Sequence, residues 1–240
     1  MKHSLALRIG AVALFATVEI YLSYLIQTVS GRACNTVSYL SVALAAVFAL
    51  GTLLFCRTLS DNLIRLGLGF TLIADYCLVL AEPTRELWGV VVFCFTQACY
   101  FLALLIEERE RRTRIIHIAV RIALIAVVIP AAFAVLGNDT DALAVWSVFY
   151  YANLVCNMIF AFADFRRRGA FALGLLSFAL CDVTLGLAFL GDAYLNSPPG
   201  SFLYEIGHTG LNLPWVFYVP SQTLIAAHLA FRRDRHRNAE

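Results

Sequence analysis

Long apolar segments follow one another through almost the whole chain, and they restrict the fold to one that can lie in a membrane. Each segment is close to the ~20 residues that a helix needs to cross a bilayer. Of all residues, 61% are hydrophobic and 14% are charged, whereas soluble domains carry about 25% charged residues. We therefore expect an all-α, polytopic membrane protein, an eight-transmembrane-helix bundle that occupies 1–240 as a single integral membrane domain. The expected spans are 8–28, 37–57, 62–81, 87–106, 115–136, 142–163, 169–191 and 212–231.

The basic residues predict how these spans are oriented. Of the 18 Lys and Arg residues, all but three lie in the N-terminal segment, in alternate connections and in the C-terminal tail. The exceptions are Arg32 and Arg85, which lie in the other connections, and Arg121, which lies inside the fifth span. Because Lys and Arg accumulate on the cytoplasmic side, both termini are expected in the cytoplasm, with a short tail at 232–240. The expected location is a bacterial plasma membrane.

Two of the apolar segments carry an aspartate at the same place. The third span contains LGLGFTLIADYCL, from Leu66 to Leu78, and the seventh contains LGLLSFALCDVTL, from Leu173 to Leu185. A shift of 107 positions superimposes the Leu-Gly-Leu start, the aspartates Asp75 and Asp182, and the final leucine. This pattern predicts a weak internal repeat of spans three and seven.

The same two aspartates are predicted to lie at one depth. Asp75 is 14 residues beyond Asp61, and Asp182 is 14 residues beyond Arg168, which places both about 21 Å from the cytoplasmic helix ends. Carboxylates inside a span cost about 2.5–3.5 kcal/mol on insertion scales and usually have a function. We therefore expect a shared functional site formed by Asp75 and Asp182. The alternative is that each aspartate only joins neighbouring helices by hydrogen bonds.

Six other polar side chains in the expected spans are candidates for binding substrate or supporting the two carboxylates. For the amides, hydrogen bonding between helices is the alternative, and for the tyrosine it is simple packing. The glutamate has the alternative of an ion pair with Arg121. The six residues are Glu19, Gln97, Tyr100, Asn153, Asn157 and Gln222.

The sequence contains no pattern typical of a metal or cofactor site. Its seven cysteines form no CxxC pair, and its five histidines have no metal-ligand spacing. There is no phosphate-cradling glycine loop and no evident Ser-His-Asp set. The net charge of +2 is explained by topology, so no nucleic acid partner, no metal and no cofactor is expected. The oligomeric state is left open.

Motifs in four spans carry a resemblance to a known family. The third span resembles a G-D-x-x-L motif, with Ala74 in place of the glycine. The fourth resembles W-G-x-x-x-F-x-x-x-H-x-x-Y from Trp88 to Tyr100, with Gln97 in place of the histidine. The seventh resembles G-A-x-L-F-x-x-S-D-x-x-L, with Cys181 in place of the serine. The eighth resembles Y-Y-x-x-Q-x-L-I through Phe217, Tyr218, Gln222, Leu224 and Ile225.

In this order and spacing, over about 62–106 and 169–228, the motifs are similar to those of the YhhN family of eight-span membrane proteins, whose animal members are lysoplasmalogenases. The resemblance implies hydrolysis of the vinyl ether of a lysophospholipid to a fatty aldehyde. Such an ether is cleaved by protonation of its β-carbon, which a buried pair of carboxyl groups could perform as acid and base. The same pair also suits a proton- or cation-coupled transporter of lipids or small molecules.

Overall fold

The structure, a computed structural model, describes residues 2–54, 57–137, 140–189 and 197–232. No β-strand occurs in these ranges, which confirms the all-α class. The predicted tail 232–240 lies outside the described residues except for Arg232. The helices are α1 (Lys2–Thr28), α2 (Gly31–Gly51), α3 (Leu59–Asp75), α4 (Glu86–Glu107), α5 (Arg111–Leu136), α6 (Ala142–Ala163), α7 (Phe165–Phe189), α8 (Phe202–His208) and α9 (Leu213–Phe231).

Local chemistry explains several helix boundaries. Gly31 has a φ of 59°, a left-handed conformation that glycine adopts without strain, so α2 begins six residues earlier than the expected span. At the start of α3, Thr58 and Asp61 form a capping box, each side chain accepting a hydrogen bond from the backbone of the other. The connection between the seventh and eighth expected spans contains a short helix, α8.

Seven of the helices are long and apolar enough to cross a membrane, which is consistent with an integral membrane protein. The remaining long helix, α9, has 19 residues, but Pro, Ser, Gln, Thr and His residues lower its hydropathy. The eight-span count is therefore not confirmed and stays a prediction. Contacts at the two ends of α9 bear on this point.

Helix α9 extends from one end of the bundle to the other. At its start, the Asn212 backbone N–H donates to Gln27, which is near the end of α1, at 2.7 Å. At its end, the Ala230 carbonyl accepts from Arg8, near the start of α1, at 3.4 Å. Since α9 runs antiparallel to α1 over the same thickness, its placement favours an eighth span. We call the end that contains Arg8, Arg168 and Arg232 the arginine-rich end.

The helices pack as a closed ring. Along it α1 and α2 contact α9, α2 contacts α3, α3 contacts α4, α4 contacts α6, α6 contacts α7, and α7 contacts α9. Helix α5 packs chiefly against α6 and lies outside the ring. A single large apolar core fills the interior, with Leu68, Leu154, Leu175 and Ile225 all at most 1% exposed. Both predicted aspartates project from helices of this ring.

Candidate functional site

Asp75 is the last residue of α3, where the helix changes its winding. Residues Tyr76–Leu80 continue the chain as a π-helix, a geometry that is rare and frequent at functional sites. The Asp75 side chain is 3% exposed, and its Oδ2 accepts a hydrogen bond from the Tyr218 hydroxyl of α9 at 2.6 Å. Tyr218 of α9, a helix that also contacts α3, therefore stabilises this buried carboxylate.

Asp182 lies on α7 and has an equivalent partner. Its Oδ2 accepts a hydrogen bond from the Tyr150 hydroxyl of α6 at 2.6 Å. The side chain is partly buried. Each of the two predicted aspartates thus accepts a hydrogen bond from one tyrosine. In both pairs the tyrosine and the aspartate belong to different helices.

A shared aromatic cluster joins the two Asp–Tyr pairs. The ring of Phe178, one turn before Asp182 on α7, lies 5.2 Å from the Tyr218 ring and 6.3 Å from the Tyr150 ring, centroid to centroid. Phe178 therefore joins the two Asp–Tyr pairs through their tyrosine rings. The site shared by the two aspartates, which the sequence analysis expected, stays a prediction.

Sequence reasoning missed the two tyrosines as members of the site. Tyr218 is part of the eighth-span motif but was not selected, because aromatic residues are common at any helix interface. Tyr150 precedes Asn153 and Asn157 by three and seven residues, a spacing that places all three on one helix face. That spacing was the available indication for Tyr150.

Three of the six other candidates meet in a separate polar network about Arg121. Asn157 donates to the Oε1 of Gln97 at 2.9 Å and accepts from Arg121 at 2.6 Å. Arg121 also donates to the Oδ1 of Asn153. Gln97 is fully buried, and its Nε2 has no hydrogen-bond partner among the described residues. Gln97 lies on α4, so this network connects α4, α5 and α6.

The network lies next to the Asp–Tyr pairs. Tyr150 binds Asp182, and Asn153, one turn along the same face of α6, binds Arg121. No hydrogen bond between described residues joins Gln97 directly to either aspartate. Support of the carboxylates by Gln97, Asn153 and Asn157 stays a prediction.

Tyr100 on α4 and Gln222 on α9 are both buried between helices. Tyr100 is fully buried, and its ring contacts the Phe171 ring edge-on at 5.4 Å between centroids. Within the described residues its hydroxyl has no hydrogen-bond partner of good geometry. Gln222 is 1% exposed and donates to the Ser221 hydroxyl at 2.9 Å. Both positions are compatible with packing, and their predicted role in the site is untested.

Glu19 lies at the interface between α1 and α2. It is 2% exposed and accepts a hydrogen bond from Ser41 at 2.5 Å. Arg121 binds Asn153 and Asn157 instead, so the alternative of a Glu19–Arg121 ion pair is not observed. Among the described residues nothing joins Glu19 to the aspartates by a hydrogen bond or ion pair.

Over the described part of the chain, no group of three or more His, Cys, Asp or Glu residues has the geometry of a metal site. The two aspartates and their tyrosine partners place two carboxyl groups and two phenol groups in a largely apolar surrounding. Such a set can bind, donate and accept protons.

The fold is that of a helical membrane protein in which two aspartates, on α3 and α7, are each bound by a tyrosine of another helix. A family model for the YhhN family matches residues 37–229, which is most of the chain. The chain belongs to the YhhN family. No curated protein and no solved structure matches it. Family membership suggests a lysoplasmalogenase-like membrane protein.

Proposed function

We propose that the protein is a membrane-embedded hydrolase that cleaves the vinyl-ether bond of a lysophospholipid, with Asp75 and Asp182 as its acid–base pair. The observation that carries this proposal is the pairing itself. Each carboxyl group accepts a hydrogen bond from a tyrosine at 2.6 Å, and the Phe178 ring lies against both tyrosine rings. Family membership supports the reaction class.

The reaction balances without any group beyond these side chains and one water. One carboxyl group transfers its proton to the β-carbon of the vinyl ether, and the double-bond electrons form the new C–H bond. The resulting oxocarbenium ion is captured by water, whose proton passes to a carboxylate. The hemiacetal then collapses into a fatty aldehyde and an alcohol on the glycerol, and the starting protonation state is restored.

Two carboxyl groups are needed because one must stay protonated while the other is an anion. Burial in an apolar medium disfavours the ionised form, and two nearby carboxylates disfavour each other's ionisation. The tyrosine hydroxyls favour the anion by donating to it. Because the two groups titrate as a coupled pair, the role of donor belongs to the pair rather than to one residue.

The proposal is tested with purified protein in detergent and an alkenyl lysophosphatidylcholine. Wild-type protein should release fatty aldehyde, and Asp75→Asn or Asp182→Asn should lower the rate about 100-fold or more, as expected for loss of a general acid or base. Asp164→Asn is the control, because Asp164 lies between α6 and α7 and pairs only weakly with Arg167, at 3.7 Å. No aldehyde from wild-type protein would reject the hydrolase.

A proton- or cation-coupled transporter is the second candidate. It is favoured by the cluster of ion pairs at the arginine-rich end, where Arg168 binds Glu107 at 3.1 Å and Arg232 binds Asp61 at 2.9 Å. These pairs join α3 and α4 to α7 and the end of α9 at that end of the bundle. In a transporter they would serve as a gate. A transporter predicts no product in detergent, and it predicts lipid or ion flux in proteoliposomes that either Asn substitution abolishes.

A further inference from the structure

A cavity of about 590 Å³ opens at the end of the bundle opposite the arginine-rich end. Its walls are the end of α1, the start of α2, the end of α7 and the segment from α8 into α9. The volume lies within the range of about 300–1,000 Å³ that is usual for small-molecule sites. None of the residues that the acid–base chemistry uses lines it.

The lining is polar but carries no charge. No Asp, Glu, Lys, Arg or His occurs among the described residues that line the cavity. Its polar groups are amides and hydroxyls: Gln27, Ser30, Asn35, Thr209 and Asn212. The remaining lining is aliphatic side chains, glycine and the thiol of Cys34.

Two of these polar side chains are available to a ligand. Gln27 is occupied, because it exchanges two hydrogen bonds with the Asn212 backbone, at 2.7 and 3.3 Å. Thr209 donates to the Leu211 carbonyl at 2.7 Å. By contrast, Ser30 and Asn35 make no side-chain hydrogen bond to any other described residue.

The inner wall of the cavity is one helical turn from the acid pair. Leu185, which lines the cavity, follows Asp182 by three residues, or about 4.5 Å along α7. Pro214, also in the lining, precedes Tyr218 by four residues, or about 6 Å along α9. In an alkenyl lipid the vinyl-ether oxygen is an oxygen of the glycerol itself. A glycerol in the cavity therefore places the reacting bond at the depth of the carboxyl groups.

We propose that this cavity binds the glycerol end of a single-chain ether lipid and recognises its free hydroxyl through neutral side chains, so that affinity does not depend on head-group charge. This inference rests on the proposed function. A site that selects a phosphate normally presents Arg or Lys, and the lining has neither. Because the cavity is open, the head group can remain hydrated while the glycerol contacts Ser30 and Asn35.

The test measures occupancy rather than turnover. Thr209→Cys in a Cys34→Ser background places a thiol in the cavity wall and leaves Ser30 and Asn35 intact, and its rate of maleimide labelling is followed by peptide mapping. Native Cys77, which is half-buried and outside the lining, is the internal reference. Three probes are saturated alkyl ethers of glycerol with a free middle hydroxyl, and they carry a hydroxyl, a phosphate or a phosphocholine at the third position. The fourth probe is the phosphocholine lipid with its middle hydroxyl methylated.

The three lipids with a free middle hydroxyl should slow labelling at position 209 with affinities within about threefold of one another, and the methylated lipid should bind about tenfold more weakly. Labelling of Cys77 should not change. A tenfold dependence on head-group charge, or equal binding of the methylated lipid, would overturn the proposal.

A second pair of variants tests the location. A Cβ added at Gly210, which lines the cavity, meets nothing within 4 Å, so Gly210→Trp should fill the cavity and abolish protection. Gly69→Trp is the control, since Gly69 is equally unobstructed but lies on α3. If Gly210→Trp melts early, Ala188→Phe fills the same space from α7. Unchanged protection in a folded, filled variant would overturn the proposal.

The two proposals fail in different ways. Saturated ethers have no vinyl bond to protonate, so protection at position 209 is independent of catalysis. Protection without aldehyde release from the alkenyl lipid would reject the hydrolase and leave the lipid site standing. Aldehyde release without protection would reject this cavity alone.

Discussion

At the scale of single residues, the site depends on two hydroxyl groups that satisfy two carboxylates. Buried carboxylates without partners are costly, and hydrogen bonds to charged groups contribute about 1.5–3 kcal/mol. Tyr150 and Tyr218 supply one such bond each. The aspartates alone would therefore be an incomplete description of the site.

Tyr150→Phe and Tyr218→Phe each remove one of these hydroxyls while the ring is kept. We expect each to lower the unfolding free energy by about 1–3 kcal/mol and to slow aldehyde release, because a buried carboxylate loses its donor. Thermal unfolding in detergent and the aldehyde assay measure both effects. Tyr24→Phe is the matched control, since Tyr24 is 64% exposed. Equal behaviour of all three variants would contradict the assignment.

Arg121 presents the opposite situation, a buried cation held by neutral oxygens. It is 8% exposed, binds Asn153 and Asn157, and lies 4.1 Å from the Phe101 ring centroid. Among the described residues, no carboxylate forms a salt bridge with it. The amides therefore disperse its charge without neutralising it.

Asn153→Asp places a carboxylate against this guanidinium. We expect it to raise stability by about 1 kcal/mol or more, because a charge-assisted hydrogen bond replaces a neutral acceptor. The donor that is lost serves only the Phe149 carbonyl, one turn earlier on the same helix. Asn153→Ala should instead lower the melting temperature. A lower melting temperature for the Asp variant would show that the charge of Arg121 is already compensated.

At the scale of helices, Gly67 and Gly174 each allow a neighbouring helix to pack closely. A Cβ at Gly67 would lie 2.4 Å from the Tyr100 ring, and a Cβ at Gly174 would lie 2.7 Å from Ile225 and 3.0 Å from the Ser221 carbonyl. Gly67 and Gly174 are equivalent in the predicted repeat. Their partner residues, Tyr100 and Ile225, each follow a buried glutamine by three positions.

Alanine at these glycines tests the packing. Gly67→Ala and Gly174→Ala should both destabilise the protein. Gly174→Ala should do so more strongly, because the Ser221 carbonyl beside it is a backbone group and cannot move aside. Gly69→Ala should be neutral or stabilising by up to about 1 kcal/mol, since alanine favours helix and the space is open. Thermal unfolding in detergent measures all three. A stable Gly174→Ala variant would disprove the close approach of α7 and α9.

The helices were largely predictable, because long apolar runs and arginine-rich connections have strong sequence patterns. The boundaries were not. The early start of α2 depends on the φ of Gly31, and the π-helix after Asp75 depends on packing against α2 and α4. The repeat predicted from Asp75 and Asp182 is not confirmed for the fold as a whole, since α8 interrupts the second half.

At the scale of the whole molecule, ion pairs at the arginine-rich end connect the helices that carry the two aspartates. Glu107 of α4 binds Arg168 of α7 and Arg232 beyond α9, and Arg232 also binds Asp61 of α3. The acids belong to α3 and α4, and the arginines belong to α7 and the end of α9. The pairs therefore hold together the two helix pairs that pack most closely.

Glu107→Gln should weaken this connection, because two arginines lose their shared carboxylate. We expect a loss of about 1–3 kcal/mol in unfolding free energy, as for a partly buried charge network that loses one member. Glu108→Gln is the neighbouring control and should change stability by less than about 0.5 kcal/mol. If both variants unfold alike, the ion pairs do not hold the two helix pairs together.

The site was only half predictable for a physical reason. An aspartate inside an apolar span is conspicuous in the sequence, because its cost there is high. The tyrosine partners lie on other helices, with Tyr150 at 32 residues from Asp182 and Tyr218 at 143 residues from Asp75 in the chain. Only the folded ring brings a hydroxyl of α9 to Asp75 and a hydroxyl of α6 to Asp182.

The most direct measurement is the mass of the aldehyde released from an alkenyl lysophospholipid in D₂O. Protonation of the β-carbon by the carboxyl pair requires that the aldehyde gain one deuterium next to its carbonyl carbon. We expect this labelled aldehyde from the wild-type protein and none above background from a variant with both Asp75→Asn and Asp182→Asn. Unlabelled aldehyde, or labelled aldehyde released equally fast by the double variant, would contradict acid–base catalysis by the pair.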